Sequence, residues 1–123
     1  MPQGAVVRRW DEIDHDKVTE MVSRKVVAGE RQMLAQVYLK RGAHVPLHRH
    51  ESEQLQYVLQ GALRCRIDDE EMIVGEGEVA IIPPGARHQA EALVDTFALS
   101  VFSPVRIEWL ASPPRGPDVD APA

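Results

Sequence analysis

The sequence predicts an all-β domain folded as a sandwich or barrel, and three observations carry that expectation. Short apolar runs recur at close intervals, at residues 32–39, 62–67, 72–74, 79–82 and 96–102. Glycine, proline or acidic residues punctuate them, and no window sustains a helical period. A chain of 123 residues suits one domain with a modest core.

Residues 1–20 are charged and mixed, with Trp10 as their large apolar anchor; His15, in the polar run IDHDK, is expected to be solvated. Residues 21–29 read as a strand ending at Gly29, and residues 32–39 (QMLAQVYL) as a second one rich in strand formers. Lys40-Arg41-Gly42 turns the chain. Pro46 keeps the next segment extended but removes a ladder donor, so this segment is a loop or an edge strand, with His44 on its rim. Beyond it, Leu55, Tyr57 and Leu59 share one parity and are expected to pack into an outer layer or a subunit interface. Residues 62–67 form a strand, with Cys65 as a small apolar filler. The acidic run 68–71 (DDEE) lacks the spaced ligands and glycine of a calcium loop and reads as an exposed turn. Strands are expected at 72–74, 79–82 and 96–102. Ser103-Pro104 breaks the last one, and residues 107–110 end a domain spanning 1–110. The Pro-rich segment 111–123 is expected to be a disordered tail.

The chemistry concentrates in two stretches. Residues 42–61 read GAHVPLHRHESEQLQYVLQG. On a strand, His48, His50 and Gln54 would share one face, with Gln56 on the same side and Glu53 pointing away. Two imidazoles and an amide oxygen make an incomplete metal shell. Residues 77–88, GEVAIIPPGARH, offer the missing ligand: an apolar strand runs into Pro83, Pro84 and Gly85, and the turn delivers His88. Gln54 has two readings here, as a ligand or as a hydrogen-bonding support behind one.

Composition excludes other classes. A formal charge of −5 and a pI near 5.5, with no basic run, argue against nucleic acid. A single cysteine cannot form an internal disulfide, which fits a reducing cytosol. No segment is apolar enough to span a membrane, and MPQGAVVRRW lacks a signal-peptide core, so a cytoplasmic protein is expected.

These stretches resemble the two signature motifs of the cupin superfamily. The first motif, G-x5-H-x-H-x3-4-E-x6-G, is met by Gly42, His48, His50, Gln54 and Gly61. The second, G-x5-P-x-G-x2-H-x3-N, is met by Gly77, Pro83, Gly85 and His88. Glutamine replaces the glutamate, and Ala92 the asparagine. The resemblance implies a double-stranded β-helix, or jelly-roll barrel, and one divalent transition metal ion (Zn, Ni, Mn, Fe, Co or Cu) on His48, His50, Gln54 and His88. It also implies a homodimer, as small cupins pair sheets across subunits. Over residues 30–110 the chain is similar to the pectin-degradation cupins of KdgF type. Those proteins linearise 4,5-unsaturated uronates to the open-chain keto form, with three histidines and a glutamine on the metal. Their D-x-F-S-P-x-R pattern is matched by Phe102, Ser103, Pro104 and Arg106, with Ser100 at the aspartate position.

That resemblance makes Ser100 and Arg106 the catalytic candidates and Phe102 and Arg106 substrate contacts, to which strand parity adds Gln56 on the metal side. Arg106 suits a small carboxylate through paired hydrogen bonds. An unassisted serine hydroxyl is a poor acid or base, so Ser100 is the departure that matters. Four neutral ligands would leave the ion its full charge, which favours Lewis-acid work over oxygen activation. Three readings follow: a metal-dependent lyase or isomerase on a small sugar acid or keto acid, a cupin dioxygenase, and a non-catalytic binding module.

Overall fold

Buried and exposed side chains alternate along Met33–Leu39, Ala62–Ile67 and Thr96–Ser103, the period of strands with one face in a core. The computed structural model describes residues 4–110, so the expected tail at 111–123 lies outside the described residues. In chain order the strands are β1 (Asp16–Lys17), β2 (Val22–Ala28), β3 (Met33–Leu39), β4 (His44–His48) and β5 (Glu53–Gln60). They continue with β6 (Ala62–Ile67), β7 (Glu70–Gly75), β8 (Val79–Ile82), β9 (His88–Ala92) and β10 (Thr96–Ser103). Single 3-10 turns lie at Trp10–Glu12 and Ile107–Trp109. None of the described helices is long and apolar enough to cross a membrane.

The strands form two antiparallel sheets, of order β1-β2-β3-β10-β5-β8 and β4-β9-β6-β7. Their inner faces close on a core that includes Met33, Val37, Val58 and Phe102 from one sheet and Val45, Leu63, Ile67 and Val74 from the other. Cys65 is buried there, as an apolar filler should be. The result is the all-β sandwich expected from the strand pattern, in the jelly-roll form that the cupin resemblance implies.

Two local readings need correcting. The acidic run is not one turn. Ile67 and Glu70 are register partners, so only Asp68 and Asp69 make the hairpin tip, and Glu70 and Glu71 already belong to β7. Asp68 takes a φ of 56°, which Asp tolerates better than most residues. The second correction is β9, which sequence reading left as a mixed stretch. Its alanines and glutamate are poor strand formers, but β4 and β6 pair with it on both sides and tertiary pairing overrides propensity.

All four motif glycines, at 42, 61, 77 and 85, have positive φ. Gly61 is the most constrained. A Cβ built there would lie 2.5 Å from the Asp95 carbonyl oxygen and 2.8 Å from Thr96 Cα, so the β5–β6 turn excludes any side chain.

The outer face of the larger sheet is apolar. Leu34, Tyr38, Leu55, Val79 and Ile81 are exposed on it, Ile81 by 63%, while Tyr57, Leu59, Phe97 and Leu99 are half-buried. Leu55, Tyr57 and Leu59 therefore have the outward parity read from the sequence. Tyr38 and Phe97, register partners on β3 and β10, stack with centroids 4.6 Å apart.

Candidate metal centre

Three histidines converge at one end of the space between the sheets. His48 closes β4 and His88 opens β9, and the two are register partners. His50 arrives differently from the sequence expectation, which put residues 48, 50 and 54 on one unbroken strand. Strand β4 ends at His48 and β5 begins at Glu53, so His50 sits in the connection between them. Two hydrogen bonds pin that connection: Gly85 N–H donates to the His50 carbonyl at 2.9 Å, and Ser52 Oγ donates to the Pro104 carbonyl. Gly85 is the second motif's glycine, so the two motifs brace each other. One ring nitrogen from each histidine lies within 4.8 Å of those of the others.

Each ring is oriented by its far nitrogen. Nδ1 of His48 is 2.8 Å from the Pro46 carbonyl, Nδ1 of His50 is 2.9 Å from that of Ser52, and Nδ1 of His88 is 2.9 Å from that of Ala86. A carbonyl oxygen can only accept, so Nδ1 carries the proton in all three. Each Nε2 is therefore unprotonated in the neutral ring. His88 is 5% exposed, and its Nε2 is buried without a hydrogen-bond partner.

Gln54, 2% exposed on the inner face of β5, adds the fourth donor, while its neighbour Glu53 faces solvent. Its Oε1 stands 3.0 Å from His50 Nε2. Two acceptors at that distance repel unless something positive lies between them. A proton on His50 is disfavoured, because burial and then the Arg106 guanidinium lower its pKa. Turning the amide around would cost the bond that Gln54 Nε2 donates to Gln56 Oε1 at 2.6 Å. A metal cation between them would relieve that repulsion, and four neutral N and O donors suit a divalent transition ion. Among the described residues no other group of three or more His, Cys, Asp or Glu ligands is close enough to hold one.

The other candidates from the sequence divide between cavity and support. Ser100 and Gln56 are register partners on β10 and β5, and Ser100 Oγ donates to Gln56 Oε1 at 2.8 Å. Both line a cavity of about 30 Å³ together with His48, His88, Gln54, Val37, Leu63 and Ile82. That volume holds roughly two waters. Phe102 does not line it: fully buried, it meets His50 edge-on at 5.6 Å and holds that ring in place. Arg106 is buried, and its Nε and Nη2 both reach Glu108 Oε2, at 3.0 and 2.9 Å. His44 is exposed at the start of β4, opposite Glu91, and His15 is exposed with its ring edge 5.5 Å from Tyr38. An open groove of about 430 Å³ flanks His48, lined by Leu47, Arg49 and Arg87. A larger groove of about 720 Å³ near Tyr38 and Phe97 includes none of the three histidines or Gln54.

Sequence reading missed a second shell of support. The Arg24 guanidinium lies 3.7 Å from the Trp109 ring centre and pairs with Asp16, while Arg106 approaches the same indole at 4.7 Å. Trp109 in turn meets Phe102 edge-on at 5.0 Å. The signal was available: Arg24 shares the inward parity of Val22, an unusual place for a charge unless it is paired.

The comparisons with known proteins agree with this architecture. The cupin domain family matches residues 35–103. The protein named KdgF from Halomonas sp. superposes with a TM-score of 0.76 at 34% identity, covering 81% of this chain and 95% of that one. An RmlC-like cupin from Shewanella frigidimarina superposes at 0.81, with 20% identity over 89% of this chain and all of that one, a likeness of fold alone. An uncharacterised protein of Methanocaldococcus jannaschii is 30% identical over 79 residues, and the chain spans 63% of its length.

The orientation of the histidines predicts a pH response in metal-free protein. Burial lowers the His88 pKa from 6.5 to about 4, and that of His50 is lowered as well. As pH falls, the unfolded chain takes up protons before the folded one. The stability these groups lend is therefore complete above about pH 6.5 and erodes toward pH 4. For His88 alone the loss is about 3 kcal/mol at most, or on the order of 10 °C in melting temperature. Thermal melts in chelator between pH 7.5 and 4.5 should show it, and His88→Gln should flatten the slope. A melting temperature that stays constant over that range would contradict the assignment.

Proposed function

The chain belongs to the cupin family, and from that premise we propose that it is a metal-dependent enzyme acting on a small sugar acid or keto acid, in the manner of 4,5-unsaturated uronate linearisation. The observation that carries the reading is the set of four uncharged lone pairs, the Nε2 atoms of His48, His50 and His88 and Oε1 of Gln54, aimed at one point beside a buried arginine. Cupins commonly bind a metal, and an ion held there would supply Lewis acidity toward a carbonyl, hydroxyl or carboxylate. The similarity to the Halomonas KdgF supports the substrate class.

The interior cavity admits only a small group past the histidines. The body of a uronate would lie toward the open groove beside His48, whose volume is within the usual range for ligand sites. Arg106 recognises the carboxylate. Its Nε and Nη2 rest on a single oxygen of Glu108, whose side chain is 60% exposed and free to turn into solvent when an incoming acid takes its place. Linearisation is an isomerisation: the bond from C1 to the ring oxygen breaks, the hemiacetal hydroxyl gives up its proton, and C4 of the enol receives one. Ser100 donates its hydroxyl hydrogen to Gln56 and is hydrogen-bonded to no base among the described residues, which leaves it a poor proton carrier. That observation favours a second reading, a cupin that binds the acid without turning it over.

Metal-loaded protein given 4,5-unsaturated galacturonate should convert it to the open-chain keto form, followed by NMR. Chelator should abolish conversion, and Arg106→Ala should weaken binding of the acid by about 10-fold or more, the loss of a charged hydrogen-bonded pair. Binding without conversion would select the binding module. Oxygen uptake by iron-loaded protein would select a dioxygenase. Neither turnover nor binding of any small carboxylate would defeat the proposal.

We further propose that the partner of the apolar sheet face is a second copy of the chain, since Leu55, Val79 and Ile81 lie side by side on paired strands there. Light scattering at micromolar concentration should give a dimer mass, and Ile81→Glu with Leu55→Glu should give a monomer. A monomeric wild type would overturn it.

A further inference from the structure

We infer that Ser100 and Gln56 are positioning residues that set which end of the Gln54 amide faces the metal site; this rests on the metal reading above. The hydrogen bonds Ser100–Gln56–Gln54 form a chain with a direction. Ser100 Oγ and Gln54 Nε2 both donate to Gln56 Oε1, at 2.8 and 2.6 Å, and this leaves Gln54 Oε1 facing His50. Strand register builds the arrangement, because Ser100 is opposite Gln56 across the β5–β10 pair and Gln54 is two residues along the same inner face.

The opposite direction is also chemically possible. With both amides reversed, Gln54 would present its NH₂ to the His50 lone pair, and Gln56 Nε2 would donate to Gln54 Oε1 and to Ser100 Oγ. That network satisfies His50 without an ion, and it destroys the metal site by replacing an oxygen donor with an amino group. What opposes it is the Ser100 hydroxyl hydrogen. Ser100 is 2% exposed, and its hydroxyl makes no hydrogen bond other than the one to Gln56 among the described residues. Reversal would take its amide acceptor away and leave that hydrogen at best a confined cavity water, which is costly for a buried donor. The hydroxyl thus selects the direction in which Gln54 offers oxygen. A serine at this position acts through two amides on the ion, and touches neither the ion nor the substrate.

A carboxylate at position 54 needs no such selection, since either of its oxygens can face the ion. This makes a double-mutant cycle decisive. Co(II) is titrated into metal-free wild type, Ser100→Ala, Gln54→Glu and the double variant, reading affinity and the visible absorption of the bound ion. Metal-free melting curves check that each variant is folded. Ser100→Ala should weaken Co(II) binding by about 10-fold or more in the glutamine background and shift the absorption band, the scale of losing a support behind a ligand. In the Gln54→Glu background Gln56 must turn its Nε2 to the carboxylate, which already takes the acceptor from the Ser100 hydroxyl, so the same change should not weaken binding. If Ser100→Ala fails to fold, Ser100→Cys, close in shape but a weak donor, runs the same cycle. Equal losses in both backgrounds would make Ser100 merely structural and overturn the inference, as would no loss in either. A wild type that binds no Co(II) would defeat the metal reading itself, before any substitution is made.

Discussion

Three short hydrogen bonds from imidazole Nδ1 to backbone carbonyls govern this molecule. In His48 and His88 the acceptor lies two residues before the ring, at Pro46 and Ala86, and in His50 it lies two residues after, at Ser52. Each bond is local, so the tautomer is decided by the backbone beside it and not by the rest of the barrel. The consequence is long-range, because it turns three Nε2 atoms toward one another, that of His88 buried without a hydrogen-bond partner. The strands and turns that set these backbones, β4, the pinned connection at 49–52 and the Pro83–Ala86 turn, therefore decide the chemistry.

Around that point the protein arranges charge in a consistent way. No carboxylate is among the four donors, so an ion held there keeps its full positive charge, and the nearby Arg106 guanidinium adds to the field. Such a site attracts anions and electron-rich oxygens. The two guanidiniums of Arg24 and Arg106 are placed against one indole, Trp109, which packs on Phe102, which packs on His50. This stack anchors the segment after β10 and holds the Arg106 guanidinium against Trp109. Glu108 meanwhile serves as an internal carboxylate on the same guanidinium.

Much of this was legible in the residues. The motif glycines marked turns, where the structure has positive φ, and the motif spacing announced three converging histidines. Parity separated Gln54 from Glu53 correctly, and placed Leu55 and Tyr57 on the outer face. Where single-strand parity was applied across residues 48–54 it gave the right convergence for an incomplete reason, since a loop carries His50 and tertiary hydrogen bonds aim it. Strand β9 was hidden because its alanines and glutamate take their conformation from neighbours on both sides. The Arg24–Trp109 contact spans most of the chain, and no local pattern could pair those two residues. The direction of the Ser100–Gln56–Gln54 chain was equally out of reach, because it depends on which strands lie side by side.

The central claim is that the four lone pairs share one metal ion, and crystals grown from protein loaded with Co, Ni or Zn test it most directly through anomalous scattering. A single strong peak within bonding distance of Nε2 of His48, His50 and His88 and of Oε1 of Gln54 is the predicted result. A metal-loaded crystal with no peak among the histidines, or with the ion on surface carboxylates such as those of Asp68 and Asp69, would contradict it.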